Sequence, residues 1–197
     1  SIKSEADFLY LVLTGLFVTS LVTCNLIFQK FFQLEIWLPF IGTYTFEQSV
    51  GLLPYPITFL VTDIISEIYG RKKANRVVVI GLIASLFMLL IVSIANMVTA
   101  TPWSPVTQNI FQQVFGLSFV AVFSSMMAYL FAQYIDIRVF HFWKRLTNGR
   151  HLWLRNNAST IFSQFIDTFT VLFLLCSLNA IDWERFSTLL INGFLFK

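Results

Sequence analysis

Apolar residues run along this chain in long unbroken segments, without the polar face that a water-soluble helix or strand must show to solvent. Five segments are continuous, at residues 8–28, 54–69, 77–98, 114–134 and 158–178, and a sixth begins at 186 and stops at Lys197. A bilayer core about 30 Å thick takes about 20 residues of helix. Residues 77–135 contain no Asp, Glu, Lys, Arg or His, which leaves room for two spans and the turn between them. Pro54 and Pro56 stand where the second segment begins, a position that suits proline better than a helix interior. The first segment is a full span rather than a cleavable leader, because no small-residue cleavage pattern follows it. The pattern therefore predicts an all-α integral membrane protein with a single transmembrane domain over 1–197. The stretch 186–197 is too short to cross by itself, so six helices are expected natively.

Composition strengthens this picture. The chain is 57% apolar and only 12% charged, whereas a soluble domain carries about 25% charged residues. Cys24 and Cys176 both lie inside apolar segments, so neither a disulfide scaffold nor a four-thiolate metal site is available, and no cofactor is expected. A net charge of +3 would suit nucleic acid if it were spread over a face. Instead Arg71, Lys72, Lys73 and Arg76 fall between the second and third segments, and Arg138, Lys144, Arg145, Arg150 and Arg155 between the fourth and fifth. An even number of crossings puts both groups on one side, which the positive-inside rule makes cytoplasmic. No nucleic-acid partner is expected, the partner surface is the lipid bilayer, and the N-terminus is cytoplasmic. Trp37, Trp103 and Trp183 then fall on the outer face, with Trp143 and Trp153 on the inner.

Ionisable residues inside the spans carry the chemistry, since a charge there costs at least about 2.5–3.5 kcal/mol on insertion scales. Asp63 and Glu67 interrupt the second segment and Asp167 the fifth. At 1.5 Å per residue, Asp63 lies about 12 Å from Arg71 along its helix and Asp167 about 18 Å from Arg155, so both are expected near the midplane, facing one central cavity. Each competes with a structural reading as a buried hydrogen-bonding group. Glu67 stands four residues before Arg71 and equally fits an i,i+4 surface pair. Ser20, Thr23 and Asn25 give the first helix a polar patch that is either interfacial or the outer mouth of a cavity. Asp136 reads as structural at the end of the fourth segment, Ser124 and Ala128 as a packing pair, and His141 and His151 as loop residues.

Two motifs are long enough to be specific. Phe59-Leu60-Val61-Thr62-Asp63-Ile64-Ile65-Ser66-Glu67-Ile68-Tyr69-Gly70-Arg71-Lys72-Lys73-Ala74 is one; Gly149-Arg150-His151-Leu152-Trp153-Leu154-Arg155-Asn156-Asn157-Ala158-Ser159-Thr160, running into Ser163-Gln164-Phe165-Ile166-Asp167-Thr168, is the other. With them the chain, from 19 to 197, resembles the queuosine precursor transporter family, also called the vitamin uptake transporter family, of the bacterial inner membrane. The resemblance implies a six-helix importer of 7-deazaguanine bases or queuine for transfer-RNA modification, with a last helix continuing past the position of Lys197. It also implies an architecture similar to the substrate-binding subunits of energy-coupling-factor transporters, working without their ATPase partner.

A 7-deazaguanine presents a ring N–H beside an exocyclic amine, two donors that one carboxylate can accept together. Asp63 and Asp167 suit that edge. One is expected to read the base while the other carries a coupling proton or meets an aminomethyl group. Gln164 is expected to donate to the base carbonyl, and Phe59, Phe162 or Phe165 to cover the ring. Glu67 and Asn25 complete the candidate binding set. Two transport readings stay open, a secondary transporter and the binding subunit of an ATP-dependent uptake system, and a homodimer is compatible with either. An intramembrane enzyme is not expected, because no HExxH, GxSxG or Walker lysine loop occurs.

Overall fold

The computed structural model describes residues 2–39, 42–147 and 152–197. His151, Arg150 and Gly149 of the second motif lie outside the described residues, as do the side chains of His141 and Asp136. Among the described residues, five helical stretches are long and apolar enough to cross a membrane: Glu5–Ile27, Val50–Tyr69, Lys72–Met97, Gln108–Tyr129 and Thr160–Ser177. They coincide with the five expected segments to within a turn or two. Phe87, Leu90, Phe119, Ile161 and Leu195 are among many large apolar side chains left exposed on the helices, as a lipid-facing surface requires.

The chain forms two compact units, Ser1–Leu34 with Gln48–Val122, and Glu35–Glu47 with Phe123–Lys197. In the first, α1 (Ile2–Ile27), α2 (Tyr55–Tyr69) and α3 (Arg71–Met97) enclose a core of Leu13, Phe17, Val61, Ile65, Ala74 and Val77. Gly70 joins α2 to α3 at φ 83°, a left-handed value that glycine alone adopts without strain. The same end is tied by Tyr69, whose hydroxyl donates to the Ala6 carbonyl (2.6 Å). The Lys73 ammonium stands 4.9 and 5.0 Å over the Tyr10 and Tyr69 rings, a cation–π pairing. A short helix, α4 (Gln108–Phe115), is capped by Thr107 and pinned by Gln108 to the Asn96 carbonyl and by Gln29 to its own Val114 carbonyl.

One departure from an all-helical chain is a hairpin of β1 (Phe31–Leu38) and β2 (Gly42–Ser49). Phe31, Ile36, Trp37, Thr43, Tyr44, Thr45 and Phe46 are the aromatic and β-branched types that favour strands. Gln33, Glu35, Glu47 and Gln48 among them make the stretch too polar to span. A 3-10 turn (Val50–Leu52) then leads into α2.

In the second unit, α6 (Leu152–Ser177) packs against α7 (Phe186–Phe196) across a short loop; α5 (Ser118–Leu146) contributes its later turns. Phe165, Phe169 and Phe173 stack along one side of α6, and Phe194, Phe186 and Trp183 meet them edge-on. The hairpin joins this unit through Asn192, fully buried, which accepts from the Tyr44 hydroxyl and donates to the Glu47 carbonyl at 2.8 Å; Arg185 pairs with the Glu47 carboxylate. Tyr44→Phe leaves the Asn192 oxygen buried without that donor. It is expected to cost about 1–2 kcal/mol and, at about 2–4 °C per kcal/mol for a chain of this size, to lower the unfolding midpoint in detergent by a few degrees.

Candidate functional site

Helical spacing decides what α2 can offer. Thr58, Val61 and Ile65 are buried, which turns Phe59, Asp63 and Glu67, at intervals of four, onto the exposed face away from the core of their unit. Asp63 is therefore not a buried, hydrogen-bonded group. Thr62 spends its hydroxyl on the Thr58 and Phe59 carbonyls of its own helix, and no described residue bonds to the Asp63 carboxylate. Among the described residues the Asp63 carboxylate is left exposed on the face that α2 turns away from the core of its unit. Phe59 is held edge-on by Tyr55, with ring centroids 5.0 Å apart.

Asn25 sits apart from that face. It is buried on α1, together with Ser20, and its amide donates to the Leu21 carbonyl at 3.2 Å. Of the polar patch on the first helix, Ser20 and Asn25 are thus buried and Thr23 is partly covered. Gln48, not singled out from the sequence, is buried at the start of the 3-10 turn, with its amide nitrogen unpartnered.

The second unit carries the other half of the candidate set. Ser163, Asp167 and Thr168 are buried on one side of α6, opposite the phenylalanine stack, so Phe165 is engaged with Phe169 and Phe194 rather than beside Asp167. Gln164 shares the polar side, and its amide oxygen is buried without a hydrogen-bond partner. The orphaned atom is an acceptor, while the donor expected to meet a base carbonyl is the amide nitrogen of the same side chain. Lys197 is the residue that sequence reasoning missed: it pairs through Nζ with Oδ2 of Asp167, and both side chains are almost wholly buried, 6% and 7% exposed. A lysine at the end of an apolar stretch reads as a topological charge, and no local signal marks it as the counter-ion of a carboxylate thirty residues earlier.

Phe59, Asp63 and Glu67 thus share one face in the first unit, Gln164 and Asp167 share another in the second, and Asn25 is buried on α1.

Residues 49–197 match the family described as "Putative vitamin uptake transporter", a stretch that holds both motifs and begins later than residue 19. The chain is 31% identical over 122 residues to the "Probable queuosine precursor transporter" of Bacillus subtilis (strain 168), covering 61% of this chain and 53% of that protein. It is 28% identical over 129 residues to the "Queuosine precursor transporter" of Escherichia coli (strain K12), covering 66% and 55%. A third relative, the "Probable queuosine precursor transporter" of Haemophilus influenzae, is 24% identical over 154 residues, covering 74% and 60%. The chain spans between about half and three-fifths of the length of these relatives. No solved structure matches it.

Proposed function

The chain belongs to the family of putative vitamin uptake transporters, and we propose that it forms part of a bacterial inner-membrane importer of queuosine precursors, 7-deazaguanine bases or queuine, for transfer-RNA modification. Transport rather than chemical conversion is its task. The native bundle has six helices in the manner of energy-coupling-factor binding subunits, the N-terminus is cytoplasmic, and uptake runs as secondary transport without a partner ATPase. The observation that carries this reading is Asp167: a carboxylate buried on the polar side of a spanning helix, inside the stretch that matches the family of putative vitamin uptake transporters.

In mechanism, a flat base leaves water for a site whose polar groups replace its hydration, and carboxylates fix its orientation through paired N–H donors. Asp63, unpaired on the exposed face of α2, meets the base or a coupling proton along the path. Glu67 and Phe59 flank it on the same face.

The test uses cells unable to make or salvage 7-deazaguanines that express the full-length protein, with queuosine in transfer RNA as the readout for each supplied precursor. One precursor is expected to restore it. Asp63→Asn, at equal abundance in the membrane, is expected to reduce uptake about tenfold or more, the worth of one charge-assisted hydrogen bond. Wild-type uptake by Asp63→Asn removes that residue from the site. Failure of every precursor overturns the assigned cargo, and rescue only alongside an added ATPase favours the receptor-subunit reading.

A further inference from the structure

The helix α3 is long and apolar enough to cross a membrane, and the side it turns away from its unit is not uniform. At about 100° per residue, Lys72, Arg76, Val79, Ile83, Leu86 and Leu90 lie within about 40° of one line along the helix. All of them are exposed. The residues that α3 buries, Ala74, Val77, Ser85 and Met88, fall on the opposite side. The exposed stripe therefore starts with two cations and continues as aliphatic side chains. Half of a hydrocarbon core about 30 Å thick corresponds to about ten residues of helix, the interval from Arg76 to Leu86, so the stripe matches the depth of one leaflet.

The fold leaves these two cations unused. Their neighbour Lys73 is held over the Tyr10 and Tyr69 rings, whereas Lys72 and Arg76 make no ion pair with a described residue. No Asp or Glu occurs anywhere in α3. Glu5 and Asp7 near the start of α1 and Glu67 near the end of α2 lie at the same end of the unit, exposed, and among the described residues none pairs with either cation. Lysine and arginine stems lie along apolar surface with their heads at the membrane boundary, where a guanidinium engages phosphate oxygens through paired N–H donors. We propose that Lys72 and Arg76 form a binding site for an anionic phospholipid, its phosphate held by the two cations and an acyl chain lying along Val79, Ile83 and Leu86. A zwitterionic lipid is disfavoured there, because its own ammonium is repelled by the same two charges.

The test places an environment-sensitive fluorophore on Ile83→Cys of the full-length protein, Cys24 and Cys176 being buried. The protein is reconstituted in mixtures of phosphatidylglycerol and phosphatidylcholine, one of them carrying brominated acyl chains, and the quenching gives the relative affinity of the two lipids at that position. One Lys or Arg near the surface is worth about fivefold in affinity for anionic lipid. The parent is therefore expected to favour phosphatidylglycerol by about tenfold or more, Lys72→Gln and Arg76→Gln each to lower that preference about three- to fivefold, and the double variant to bring it within about twofold. Both positions are exposed, and an unchanged unfolding midpoint verifies that the variants are folded. With the label moved to Leu60→Cys, on the exposed face of α2, the two lipids are expected to quench nearly equally. Equal quenching by both lipids at Ile83→Cys overturns the site, and a double variant that keeps the parental ratio overturns the role of the two cations. The same preference at Leu60→Cys marks a general enrichment of anionic lipid around the protein and overturns the site as well.

Discussion

Asp167→Asn is expected to cost this protein both its stability and its uptake, and adding Lys197→Met to the same chain is expected to return the stability alone. The two side chains are 7% and 6% exposed, so removing the carboxylate takes the ion-pair partner from a buried ammonium. Breaking one partner of such a pair costs about 3–5 kcal/mol, whereas replacing both by neutral groups of similar volume is often close to neutral. For a chain of this size that corresponds to a fall of roughly 10 °C in the unfolding midpoint, read by loss of the monodisperse peak on heating in detergent. The double variant is expected to recover most of the loss, and the coupling between the two sites is the quantity that isolates the pair. Uptake stays lost in both variants, because Asn cannot supply the anionic acceptor. An Asp167→Asn protein as stable as its parent would sink the ion pair as a feature of the folded protein.

Gly51→Val is expected to be the most damaging change outside the polar site. A Cβ at Gly51 meets the Cys24 carbonyl oxygen at 2.6 Å and the Cα and Cβ of Phe28 at 2.8 and 2.9 Å. These are atoms at or next to the backbone, which cannot swing aside. The turn is also held rigidly, by the Val50 amide on the Lys30 carbonyl (2.7 Å) and the Ser49 hydroxyl on the Phe28 carbonyl (2.6 Å). Room for the new atoms comes only by moving the turn off the end of α1 and breaking those bonds. Overpacking of this kind costs about 1–3 kcal/mol, and each hydrogen bond lost adds about 1 kcal/mol. Gly15→Ala is the internal control, since nothing lies within 4 Å of its Cβ. It is expected to be neutral or slightly stabilising in the same detergent assay, and equal behaviour of the two variants would remove the close approach as the cause.

The spans were legible because membrane thickness acts on each segment separately. An uninterrupted apolar run of sufficient length has few alternatives, and the stretch from 77 to 135, without an ionisable side chain, announced two crossings by itself. The common face of Phe59, Asp63 and Glu67, and that of Gln164 and Asp167, followed from helical spacing alone. The hairpin was the local feature that hydropathy hid. Its polar residues mark it only as a connection, although its aromatic and β-branched content carries a strand signal.

The amino-acid sequence by itself determined the membrane class, the five spans, the ionisable residues within them and the resemblance that names the family, since each depends on composition or spacing within one segment. Tertiary structure alone decided that Lys197 is the partner of Asp167, that Gln164 presents an orphaned oxygen, that Asn192 holds the hairpin and that Gly51 admits no side chain. Each of those facts depends on which segments pack together, and hydrophobic burial in a bilayer, being nearly the same for every apolar helix, leaves that choice to packing and to the few polar groups that must find one another.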